Sequence, residues 1–285
     1  MLNTIKNSLK NPEIRRRILF TLLLILVFRL GCFIIVPGVN SVVLKEELAN
    51  ATGTLTGLIN TISGGAFSKL SIFAMSVTPY ITASIILQLL AMIIPSLEKL
   101  VKDGGEEGRQ RMNKYTKILT IVLATVEALG IYLSYSKSYG EVFINPGLRT
   151  GTIFVLSLVT GTSILMWLGD QITGKGIGNG ISMLIFVGII SGLPDGALTL
   201  YNLAFNPFST TNFLITLAIL FGAILLIAGV VFVQEAERRV PVQYAKKVVG
   251  RKMYGGQNTH IPLKLAMAGV MPIIFASSFM TLPAM

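Results

Sequence analysis

The stretch GLINTISGGAFSKLSIFAMSVTPYITASIILQLL, Gly57 to Leu90, is apolar enough for a membrane and too interrupted to cross one as a single helix. Gly64, Gly65, Ser68, Lys69 and Ser71 break up its first part. Pro79 then restarts a helix, because proline breaks the hydrogen-bond ladder behind it. Non-helical backbone at membrane depth is tolerated where protein buries it or where it lines a cavity. The stretch therefore points to a channel or transporter rather than to a mere anchor. Further on, Ile81 and Ile85 are four apart and share a helical face. That spacing fits core packing, and it also fits a hydrophobic constriction that gates an aqueous path by dewetting. Periodicity alone does not choose.

The remainder of the 285 residues supports a membrane setting. With 52% hydrophobic and 13% charged residues and a mean hydropathy of +0.71, the chain is too apolar for an ordinary soluble domain of its size. A span needs about 20 apolar residues. Windows of that kind are Ile18–Val36, Tyr80–Pro95, Tyr115–Ser134, Thr152–Leu168, Ile181–Leu193, Phe213–Val233 and Leu265–Met285. The expected class is all-α, a polytopic transmembrane helical bundle. Lys6, Lys10, Arg15, Arg16 and Arg17 ahead of the first window resemble a secretory signal, but the run is too long and lacks a small-residue cleavage site. It is read as a retained span. The single cysteine, Cys32, excludes a disulfide within the chain.

Charge gives an orientation. If the N-terminus is cytoplasmic, 19 of the 24 Lys and Arg fall on that side, and the cytoplasmic segments carry the whole net charge of +11. The positive-inside rule accounts for much of this. The segment from Gln234 to Lys264 exceeds what orientation requires. It holds seven basic residues with Pro241, Gly250, Gly255, Gly256 and Pro262, the punctuation of a shaped loop rather than of one helix. Such a loop suits docking of an anionic surface: ribosomal RNA, an acidic protein face or lipid head groups.

Catalytic material is scarce. His260 is the sole histidine, so histidine metal sites and triads lack residues. GDQITGKG, Gly169 to Gly176, nearly spells a phosphate-binding loop, but Gly176 stands where a Mg-binding Ser or Thr is needed and no βαβ context surrounds it. GKGIGNG, Gly174 to Gly180, reads better as a tight turn between spans. Asn50 heads a weak glycosylation pattern. Two charges lie within spans, Arg29 in the first and Glu127 in the third. Each costs about 2.5 to 3.5 kcal/mol at a helix centre, so each should meet protein, water or an interface. They lie at comparable depth, which leaves open a mutual ion pair, snorkelling of Arg29, or an aqueous path lined by Glu127.

RLGCFIIVPGV (Arg29–Val39), SGGAFSKLSIFA and PYITASIILQLL (Ser63–Leu90), GEEGRQRMNKYTK (Gly105–Lys117), GIGNGISMLIFVGII (Gly176–Ile190) and the run from Arg238 to Ser278 together resemble the bacterial SecY family. The resemblance holds in order along essentially the whole chain. It implies a channel that conducts unfolded polypeptides across the cytoplasmic membrane and releases hydrophobic segments sideways into lipid. It also implies a SecY-like fold, with about seven spans of a ten-span fold present here. By that resemblance the plug falls on Asn60, Ser63, Gly64, Gly65, Ser68 and Phe73. The pore ring falls on Ile81, Ile85, Ile185, Ile189 and Ile274, and the lateral gate on Gln88, Glu127, Ser277 and Ser278. Docking of the ribosome or the SecA motor falls on Arg109, Arg111, Lys246, Lys247, Arg251 and Lys252.

The implied partners are SecE and SecG subunits, SecA, the ribosome, a translocating polypeptide and membrane lipids, with no cofactor and no metal. Family chains are longer, so the sequence is expected to be C-terminally truncated. Glu127 departs from the uncharged glutamine usual at the gate. The expected organisation is a cytoplasmic segment 1–17, an N-terminal half 18–194 and an incomplete C-terminal half 195–285 carrying the basic loop 234–264. A secondary transporter for a small solute is the rival reading, because broken midplane helices are also its signature.

Overall fold

The computed structural model describes residues 11–40, 60, 63–138, 142–205, 209–242, 247–249, 252–254, 259–264 and 276. Eight helices form among them: α1 (Pro12–Gly31), α2 (Thr78–Ile93), α3 (Pro95–Lys102), α4 (Gly105–Ser138), α5 (Leu148–Lys175), α6 (Gly180–Ile190), α7 (Leu193–Phe205) and α8 (Thr210–Glu235). Four short strands follow: β1 (Glu237–Val242), β2 (Lys247–Val249), β3 (Lys252–Tyr254) and β4 (Thr259–Lys264). The chain divides into two compact units, one holding the helices up to Asp195 and the other beginning at Gly196.

In the first unit, Asn11 caps α1 by accepting from the Glu13 amide at 3.1 Å, and Pro12 occupies the first turn, where no amide donor is missed. The expected span through Val36 stops earlier. After Gly31 the chain turns, and residues 34–36 pair with the broken segment instead: Ile72 N donates to Ile34 O at 2.9 Å and Val36 N to Leu70 O at 3.1 Å. Hydropathy extends the window because Phe33, Ile34, Ile35 and Val36 are apolar, although they form a strand-like edge. The least charged 18-residue window of α1 still holds Arg15, Arg16, Arg17 and Arg29.

Pro95 does not end a span; it begins α3. The residue before a proline is pushed out of the helical region, and Ile94 is accordingly extended at φ −95°, ψ 112°. The axes of α2 and α3 differ by 104°. Helices α4 and α5 both outrun their hydropathy windows. The window Ile181–Leu193 is also short: Ser191 and Gly192 make only a turn, and Pro194 sits harmlessly in the first turn of α7. Gly180–Phe205 is therefore long enough, at 26 residues, to cross a membrane. Among the described residues four helices pass that test by length and composition, or five if the bent pair counts as one span. Window Leu265–Met285 lies outside the described residues.

Close helix approach in this unit depends on missing side chains. A Cβ at Gly161 of α5 would run into the Ile72 carbonyl, and one at Gly180 into the Gly169 carbonyl. Small residues at such contacts are how helices pack where hydrocarbon supplies no hydrophobic drive between them. Two apolar cores result. One joins Phe67, Leu70 and Met75 to Ala128 and Ile131 of α4 and Phe154 of α5. The other joins Phe73 and Val77 to Phe28 of α1, Leu165 and Leu168 of α5 and Leu184 of α6.

In the second unit, α8 buries only Thr216 and presents leucine, isoleucine, valine and phenylalanine outward, the distribution of a helix whose solvent is not water. Strand β1 pairs antiparallel with β4 and β2 with β3, so one hairpin nests inside another. The described part of the basic loop thus forms two small two-stranded sheets within a mostly helical protein.

Gly161→Leu is expected to lower stability by about 2 kcal/mol, because a packed backbone has to move to admit the side chain. A lower thermal midpoint in detergent checks this, and an unchanged midpoint would contradict the packing described.

Candidate pore and plug site

From Ser63 to Val77 the chain makes a series of tight turns rather than a helix. Several of its polar groups are satisfied locally. Asn60 Oδ1 accepts from Ser68 N at 3.0 Å, Asn60 O accepts from Gly65 N at 2.9 Å and from Ser63 Oγ at 3.0 Å, and Ser63 Oγ accepts from Phe67 N at 3.2 Å. Gly64 and Gly65 take φ +65° and +80°, open to glycine without steric cost. Leu70 (φ 41°) and Ser76 (φ 52°) take left-handed conformations without that freedom, at a cost of order 1 kcal/mol each. The Ser71 hydroxyl is buried without a hydrogen-bond partner. The segment is well enclosed but not fully relaxed.

The expected plug residues divide. Gly64, Gly65 and Ser68 are half-buried, whereas Ser63 is buried and Phe73 is a core side chain. The Phe73 ring stacks on Phe28 with centroids 5.9 Å apart and lies where a Cβ on Gly31 would be. Of the five expected ring isoleucines, Ile81 and Ile185 pack on the same core as Phe73 and Val77. Ile85 is buried one turn further along α2, outside that cluster, and Ile189 on α6 is 47% exposed. Ile274 lies outside the described residues.

At the expected gate, Gln88 is exposed and its Nε2 donates to Ser84 Oγ, one turn back, at 3.3 Å. Both residues line a cavity of about 340 Å³ with Arg109, Met112, Asn113 and Thr116. Glu127 is buried in α4, as are Ala124 and Ala128. Among the described residues Arg29 and Glu127 form no ion pair with each other; Arg29 Nη1 instead donates to Gly64 O at 3.1 Å. Ser277 and Ser278 lie outside the described residues.

Among the expected docking residues, Arg109 and Arg111 are exposed near the start of α4, and Arg111 pairs with Glu107 at 2.7 Å. Lys247 and Lys252 belong to β2 and β3, with Lys252 opposite Val249. Lys246 and Arg251 lie outside the described residues.

Sequence reading missed three further side-chain contacts. Lys117 of α4 meets Asp170 of α5 at 2.5 Å. Thr21 of α1 accepts from Ile177 N at 3.2 Å. Ser191, just past α6, points its hydroxyl at Gly64 O from 3.5 Å. They join residues 53, 156 and 127 apart, separations at which no spacing rule operates.

A family model described as SecY matches residues 71–285. The chain is 45% identical over 99% of its length to the protein translocase subunit SecY of Halalkalibacterium halodurans, covering 66% of that protein. It is 44% identical over 95% of its length to the corresponding subunit of Escherichia coli K12, covering 61%. The chain thus spans about two thirds of the length of the curated relatives it matches, or somewhat less. Among solved structures, a protein-conducting channel aligns with TM-score 0.65 at 18% identity, over 95% of this chain and 57% of the other. A SecY structure concerned with the plug domain and the closed state aligns with TM-score 0.64 at 19% identity, over 96% and 58%. The canine Sec61 channel in a ribosome complex aligns with TM-score 0.63 at 18% identity, over 95% and 57%. At these identities the likeness shows the fold.

Ser71→Ala is expected to raise stability by about 1 kcal/mol, since it removes a buried hydroxyl that has no partner. Thermal unfolding in detergent checks this, and a loss of similar size would mean that the hydroxyl has a partner after all.

Proposed function

Because this chain belongs to the SecY family, we propose that it builds part of a protein-conducting channel in the bacterial cytoplasmic membrane. The channel passes unfolded secretory polypeptides across the bilayer and releases hydrophobic segments laterally into it. The observation that carries this reading is the joint packing of a turn-rich segment with Ile81 of α2 and Ile185 of α6 on one apolar core, so that collar and closure share a surface.

The chemistry suits the task. A passing chain must be enclosed without being held, and branched apolar side chains surround varied residues without offering hydrogen bonds that would trap them. At rest the same collar disfavours water and therefore ions. The half-buried part of the segment that closes it, around Asn60 to Ser68, directs most of its polar groups to itself, so few of them are stranded when it leaves. A hydrophobic passenger segment of about 20 residues gains free energy by moving sideways into lipid, whereas a polar one does not.

The N-terminus lies on the cytoplasmic side in this reading, as the distribution of Lys and Arg favours. The basic residues of the β1–β4 and β2–β3 ladders, and separately those at the start of α4, are then docking sites for a ribosome or the SecA motor; a structural neighbour is a ribosome-bound Sec61 channel. SecE and SecG complete the assembly. The similar proteins are translocase subunits and protein-conducting channels, so the solute-transporter reading gains no support.

Ile81→Asn is expected to raise the resting ion conductance of the reconstituted channel, because a polar side chain wets the collar. Conductance equal to wild type would remove the gasket role. Arg251→Glu is expected to weaken ribosome or SecA binding, most at low salt, while leaving the thermal midpoint unchanged. Unaltered binding at physiological ionic strength would leave the basic loop with a topological role alone.

A further inference from the structure

We propose that Arg29 and Ser191 form a latch that holds the closing segment in its seat through a single atom, the carbonyl oxygen of Gly64. The proposal rests on the channel reading above and names what secures its closure.

From Asn60 through Lys69, the segment's polar contacts among the described residues are with itself, except at Gly64. There the carbonyl turns outward and accepts from Arg29 Nη1 of α1 at 3.1 Å and, more weakly, from Ser191 Oγ at 3.5 Å. The serine hydroxyl is itself held against Gly188 O at 2.6 Å, so its direction is fixed by the end of α6. The seat fits closely on three sides. A Cβ on Gly64 would stand 2.7 Å from Ser191 Oγ, 2.9 Å from Arg29 Nη1 and 3.0 Å from Gly188 Cα. The two anchors come from opposite ends of the unit's sequence, so the latch also ties α1 to α6 through the segment between them.

The energetics make the latch conditional. Arg29 is half-buried, with its guanidinium 5.9 Å from the Phe33 ring, and Lys69 Nζ lies over that same ring at 4.1 Å. No carboxylate joins them among the described ion pairs. A guanidinium in that setting gains a charge-assisted hydrogen bond while Gly64 O is in reach. When the segment leaves, the guanidinium needs water instead. Hydration of the path therefore stabilises the released state, and a dry path stabilises the latched one.

Hydrogen exchange on the purified protein in detergent tests this. In Arg29→Gln the amides of residues 63–69 are expected to exchange about tenfold faster, the effect of losing one hydrogen bond to a charged group. Those of Leu158–Leu168 in α5 should keep their wild-type rates. Arg29→Lys, which retains a charged donor, should recover part of the protection, and Ser191→Ala should show a smaller acceleration confined to the same amides. Unchanged exchange at 63–69 in both Arg29→Gln and Ser191→Ala would overturn the latch. So would acceleration spread equally into α5, which would make Arg29 a general support of the fold. Conductance of the same variants in planar bilayers tests the channel reading separately: faster exchange without added resting conductance leaves the latch standing and removes the segment's role as a seal.

Discussion

The backbone pairing of residues 34–36 with 70–72 is the interaction from which the first unit follows. In a helical protein set in hydrocarbon, irregular backbone is the hard element to accommodate, because no water meets its amides and carbonyls. Here the turn after α1 and the broken segment supply one another's needs: Leu70 O and Ile34 O accept, and Val36 N and Ile72 N donate. With those groups settled, Phe67 and Leu70 face one core and Phe73 and Val77 the other. A segment that reads as an interruption is the partition between the two cores of its unit.

Glycine determines how closely the helices approach that partition. The Ile72 carbonyl rests in the space that a side chain on Gly161 would fill, and the Phe73 ring rests in the corresponding space at Gly31. Backbone and ring are thereby gripped at successive residues. The firm end of the segment, from Leu70 onward, contrasts with the half-buried stretch around Gly64 and Gly65, so firmness changes within a few residues, near the left-handed Leu70.

Much of this was legible, for reasons that vary by element. The broken segment was visible because Gly, Ser and Lys inside an apolar run are at odds with a lipid-facing helix, and Pro79 marked the restart of a helix. Span ends were harder. Hydropathy cannot tell a helix from an apolar edge, which carried the first window to Val36, and the window Ile181–Leu193 ended just past a turn from which the helix resumes as α7. The site was legible mainly through family resemblance. Periodicity placed Ile81 and Ile85 on one face, yet only Ile81 packs on the core shared with Ile185. The partner of Arg29 was beyond reach, because depth follows from residue count whereas azimuth follows from packing.

The nested hairpins carry a consequence for chain traffic. A two-stranded ladder has two free edges, and an unfolded chain nearby is rich in backbone groups seeking a strand to join. Pro241 and Pro262 lie in the outer ladder, opposite His260 and Arg239. Proline is accommodated in a strand where its nitrogen faces away from the paired neighbour, so each outer border lacks a donor where an added strand would bond. Arg238, Arg239 and Lys264 add charge along the same ladder. The loop can therefore present its basic residues while refusing to be zipped up by extended polypeptide.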